Sequence, residues 1–101
     1  MNRIYRQYSF NLFVVNSDGD PISGVSVTLY KDDGTIAFNV LTGFDGFIQE
    51  QIVTRGYYDM SGGNSLYDYG PFELVASYNF QTYTVPNIVL YGPISWTIVL
   101  D

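Results

Sequence analysis

A chain of 101 residues fits one domain. Ten acidic and four basic residues leave a net charge of −6, and the four cations (Arg3, Arg6, Lys31 and Arg55) are too few to clamp phosphates, so nucleic acid is not an expected partner. The absence of cysteine and histidine removes disulfides, thiolate metal sites and the commonest general base.

Apolar residues make up 47% of the chain and aromatics 18%, which is too apolar for disorder and favours strands. No segment approaches the roughly 18 apolar residues that cross a bilayer, so membrane insertion is not expected. Residues 1–15 carry two arginines, but their apolar run is short and is broken by Asn11, so they do not read as a signal peptide. The chain is then either cut from a larger secreted protein or made without a secretion signal, as virion proteins assembled inside a host cell are.

Alternation with a period of two dominates the chain. Residues 1–7 read as a polar arm, suited to pairing with a neighbour's strand edge or to fraying. Tyr8, Phe10, Leu12 and Val14 then mark a first strand, and residues 16–21 form a dense turn. Val25, Val27 and Leu29 mark a second strand. After Asp32-Asp33-Gly34 comes a third over 35–41, with Ile36, Phe38 and Val40 on one face. Residues 47–54 read as a fourth, with Ile48 and Ile52 inward and Glu50 breaking the pattern on that face. Residues 55–71 read as a long loop rich in tyrosine and glycine. Phe72, Leu74, Ala76 and Tyr78 mark a fifth strand. Tyr83 and Val85 mark a sixth before Pro86, and Trp96, Ile98 and Leu100 mark the last. About seven short strands separated by turns predict a single all-β sandwich over 8–101.

Several sequence features add a resemblance. The stretch VVNSDGDPISGVSVTLYKDDG places Asp18, Gly19, Pro21, Ile22 and Gly24 before an alternating strand. TGFDGFI places Thr42, Asp45, Gly46 and Ile48 in a second pattern, and PFELVASYNFQTYTV is a third, with Asn79 where glycine is usual and Phe80 where tyrosine is usual. Together they resemble carboxypeptidase regulatory-like domains and, more broadly, transthyretin-like and Cna B-type immunoglobulin-like sandwiches. The resemblance implies a stalk, spacer or accessory module of secreted, cell-surface or phage virion proteins. Three departures narrow it. The first strand has no lysine for an isopeptide bond, there are no histidines for hydroxyisourate hydrolysis, and a tyrosine-rich insertion stands where a short Pro-Gly connection is usual.

Catalytic and metal-binding readings have ordinary alternatives. Asp18, Asp20, Asp32, Asp33 and Asp45 offer calcium ligands, yet Asp-Gly pairs build turns. Glu50 and Glu73 form an acid–base pair only in a deep cleft, and a small sandwich rarely holds one. Ser61, Ser65 and Ser95 lack a base. The expectation is a non-enzymatic protein without cofactor or metal, located in a virion or at the cell exterior. Tyr57, Tyr58, Tyr67 and Tyr69 are the candidate interaction residues, because tyrosine among glycines makes adaptable contact surfaces. Their expected partners are neighbouring protein subunits, including copies of the chain itself, with carbohydrate as the alternative. Asp59, Asn64 and Asp68 are the residues nearest to hold sugar hydroxyls. The ordinary reading of the tyrosines is that they cover the sandwich edge.

Overall fold

The structure, a computed structural model, describes residues 3–59 and 66–100. Among the described residues there are eight strands and no helix: β1 (Arg3–Val15), β2 (Ser26–Tyr30), β3 (Ile36–Leu41), β4 (Gln51–Asp59), β5 (Leu66–Asp68), β6 (Phe72–Tyr78), β7 (Gln81–Ile88) and β8 (Ile94–Val99). They form two four-stranded sheets, ordered β5-β4-β1-β8 and β3-β2-β6-β7. All pairings are antiparallel except β1 with β8, which run parallel from Phe10 to Val15.

The expected alternation seals the core. Phe10, Leu12 and Val14 of the first sheet face Val27, Leu29, Phe72, Leu74 and Ala76 of the second, all at or near zero exposure. Each of these side chains apart from Ala76 contributes about 1.5–3 kcal/mol by leaving water. Trp96 is half-buried, its ring 5.7 Å from that of Phe10.

The turns at one end are held by one buried hydroxyl. Thr42 Oγ1 donates to the Ile22 carbonyl at 2.7 Å and accepts from the Val25 amide at 3.0 Å. Asn16 Oδ1 accepts from the amides of Asp18 and Asp20, and Asp45 Oδ1 from that of Phe47. The carboxylate of Asp33 accepts from the hydroxyl and amide of Thr35. Those bonds stabilise its charged form and hold its pKa below the usual value.

Four expectations change. The polar arm over 1–7 is, from Arg3 onward, the first half of β1, paired with β4. The loop over 55–71 holds the second half of β4 and all of β5, and residues 60–65 between them lie outside the described residues. In β3, Ile36 is exposed and Ala37 packs on the core, because the ladder slips between Leu29 and Tyr30. β4 begins only at Gln51, and the irregular stretch before it shifts the phase by one residue. Val53 is therefore buried while Ile52 is 62% exposed. Glu50 is exposed and accepts a hydrogen bond from Asn11 Nδ2 at 3.1 Å.

The phase of β4 is directly testable by chemical denaturation. Val53→Ala is expected to cost about 2 kcal/mol. Ile52→Ala is expected to stay within about 0.5 kcal/mol, as exposed substitutions do. The reverse ranking would return Ile52 to the core.

Candidate interaction surface

β1 has 13 residues, longer than most strands, and the molecule measures 51 × 21 × 17 Å. The excess length forms a tongue. On one side, β1 pairs with β4 from Arg3 to Phe10. On the other, β8 begins only opposite Phe10. From Ile4 to Ser9 that second edge has no strand neighbour among the described residues, and its peptide groups are a template for another strand.

Gly56 makes the third strand of the tongue possible. It pairs with both Arg6 and Asp68, next to a slip in the β1–β4 ladder. A Cβ at this position would run into the Tyr67 carbonyl oxygen and lie 2.9 Å from its carbon. Only glycine lets the β4 and β5 backbones come this close.

Register then lines up a row of rings. Tyr5 is paired with Tyr57, and Tyr57 with Tyr67, so the three project from the same face. The Tyr57 and Tyr67 rings stack at 4.9 Å and 15°, and Tyr5 leans on Tyr57 at 5.7 Å. Tyr69 meets Tyr57 edge-on at 6.2 Å and carries the Lys31 ammonium 4.7 Å above its ring. Tyr5 and Tyr67 are about half exposed.

Three of the four expected tyrosines therefore gather. Tyr58 does not, since it alternates to the opposite face beside Ile4, with the Arg6 guanidinium 5.6 Å from its ring. Tyr5 joins the row unforeseen. Its signal was the β-forming pair Ile4-Tyr5, obscured by the arginines and glutamine around it. Arg55 reaches Asp68 at 3.4 Å and lies 5.5 Å from the Tyr91 ring, tying β4 to β5.

The remaining candidates stay apart. Asp18, Asp20 and Asp45 sit in turns at the end away from the tongue, and Asp32 and Asp33 at the tongue end. Among the described residues no three carboxylates converge on a metal position. Glu50 stands beside β1 of one sheet and Glu73 in β6 of the other. Ser95 is exposed on β8, and Asp59 ends β4 opposite Arg3. Ser61, Asn64 and Ser65 lie outside the described residues. No protein-family model matches the chain, and no curated protein matches it in sequence.

Gly56→Ala tests the built-in approach of β5. The expected outcome is faster hydrogen exchange at the amides of Tyr67 and Asp68, with core amides unchanged. Unchanged protection at 67–68 would show that β5 does not need the glycine.

Proposed function

We propose that this chain is a non-enzymatic structural protein: an immunoglobulin-like, transthyretin-like sandwich of the carboxypeptidase regulatory-like or Cna B-type kind. Its role is that of a building block of a virion surface, fibre or extracellular filament, acting through protein–protein contacts. The observation that carries this reading is the tongue, where a free strand edge runs beside a row of half-exposed tyrosines. An extended edge recognises another extended backbone, and the side chains around it select which one. The family assignment rests on the sequence resemblance alone; the residues that carry it include the Asp18–Gly24 turn, which the Thr42 hydroxyl ties down through the Ile22 carbonyl.

Carbohydrate is the weaker reading. A sugar stacks on an open ring face, yet Tyr57 gives one face to Tyr67 and is crowded by Tyr5, tilted at 51° to it. Protein partners use ring edges and hydroxyls as readily as faces.

Light scattering and sedimentation equilibrium on the purified chain test the proposal. Self-association at micromolar concentration is expected. Ile4→Lys, which puts a charge on the free edge, should weaken it at least tenfold, or about 1.4 kcal/mol. A chain that stays monomeric at every concentration reached overturns the reading. A monomer whose Trp96 or tyrosine fluorescence responds to a glycan panel replaces it with an accessory carbohydrate-binding module.

A further inference from the structure

Hydrogen bonds farther along β1 fix which of its peptide groups face the open edge. The Val14 amide donates to Gly46 and the Leu12 carbonyl accepts from Ile48, both on the β4 side. The Val15 carbonyl accepts from Leu100, on the β8 side. Peptide groups alternate along a strand, so the odd residues aim theirs at the β8 side. The slip beside Arg6 places its extra residue, Arg55, on β4, so the alternation of β1 runs through it. Ahead of β8, Tyr5 and Gln7 therefore hold their N–H and C=O groups toward the open edge.

The tyrosine row ends at this same edge. Tyr67, Tyr57 and Tyr5 stand abreast on β5, β4 and β1, and the next place in the row belongs to whatever strand takes the edge. Tyr5, at that end, is about half exposed. An aromatic residue directly opposite would extend the row by one more cross-strand pair.

The chain's own β1 fits this place better than its other edge strands. β3, β7 and β8 are edges of the sandwich body, and laying one of them along another copy's tongue brings two acidic bodies together. β5 offers three residues. Residues 3–9 of β1 carry no carboxylate, and the Arg6 guanidinium is drawn over Tyr58 of its own tongue. Two β1 edges meeting antiparallel about a two-fold axis keep the bodies at opposite ends of the joined tongues.

The axis has one suitable position. At Gln7, Ile4 of the second copy would lie beside Phe10, where Ile94 already sits. At Arg6, two guanidinium-bearing side chains would stand directly opposed, which is unfavourable. At Ile4, the described pairing would run only from Arg3 to Tyr5. At Tyr5 it runs from Arg3 to Gln7, stops short of β8, and sets Tyr5 against Tyr5 with the peptide groups of both turned inward. We propose that two copies join by their β1 edges, antiparallel about a two-fold axis at Tyr5, so that the two tongues become one six-stranded sheet crossed by a single row of six tyrosines. This rests on the building-block reading and names the partner of its free edge: a second copy, in an isologous contact that closes at two.

The chain has no cysteine, so introduced cysteines report the register without background. Residues opposed in a hydrogen-bonded pair have Cα atoms about 5.5 Å apart, within the span of a disulfide. Tyr5→Cys is expected to form a disulfide-linked dimer on mild oxidation. Arg3→Cys and Gln7→Cys should each stay unlinked alone and link when mixed. The unsubstituted chain gives a readout that no substitution can spoil: exchange at the Tyr5 and Gln7 amides should slow about tenfold or more as rising concentration forms the dimer. Self-linkage of Arg6→Cys or Gln7→Cys, linkage of Tyr5→Cys only to Tyr67→Cys, failure of the mixed pair to link, or association without protection at Tyr5 and Gln7 overturns the inference and leaves the building-block reading standing. A chain that stays monomeric at every concentration removes both.

Discussion

Phe10 sits where β1 changes neighbours. Its backbone is paired with Gln51 of β4 on one side and with Ile94 of β8 on the other. Its ring is fully buried, 5.4 Å from Phe38 of the opposite sheet and 5.7 Å from Trp96 of β8. One side chain thus pins four strands, and burying it contributes about 3 kcal/mol. Beyond Phe10 toward the C-terminus, β1 lies between β8 and the 46–48 segment, where the Val14 amide donates to Gly46 and the Ile48 amide to Leu12. Before Phe10 its one strand neighbour among the described residues is β4. The packed sandwich and the projecting tongue are two halves of one strand divided at this residue.

That division explains how the polar residues are arranged. Toward the far end, backbone groups that leave the ladders are met by short side chains: Asn16, Asp45 and the buried Thr42. Gly46, at φ +80°, is wedged so tightly that a Cβ would lie 2.6 Å from the Val14 carbonyl and 2.8 Å from Pro21 Cβ. At the tongue end the long cations spread over rings instead. Lys31 covers Tyr69, Arg6 covers Tyr58 and Arg55 reaches both Tyr91 and Asp68. Aromatic faces attract these cations while their stems shield the rings.

The core was legible in the sequence wherever a strand keeps an unbroken period of two. Phe10-Leu12-Val14, Val25-Val27-Leu29 and Phe72-Leu74-Ala76 all face inward as their alternation requires. It was illegible wherever a backbone irregularity changes the phase. Ile36 and Ile52 look like inward residues by spacing, but the slip in β3 and the irregular stretch before Gln51 turn both outward. Side-chain type carries no record of a bulge. The tongue was hidden for another reason. Its strands mix polar side chains with tyrosines, because among the described residues no second sheet covers them, so the unbroken apolar alternation that marks a core strand is missing. The tyrosines stood out as a set, yet only register could sort Tyr57, Tyr67 and Tyr5 to one face and Tyr58 to the other.

An uncovered ladder of this kind is held cheaply. Ordering each residue's backbone costs about 1–2 kcal/mol, and a cross-strand aromatic pair returns only about 0.2–1 kcal/mol. The tongue has two such pairs along its row, one ion pair and the backbone bonds that join the first half of β1, the second half of β4 and β5. It therefore belongs to the least stable part of the molecule, in contrast to the region around Phe10. Its edge from Ile4 to Ser9 has no strand neighbour among the described residues, so the order of the tongue rests on the ladder of β1 with β4 and that of β4 with β5.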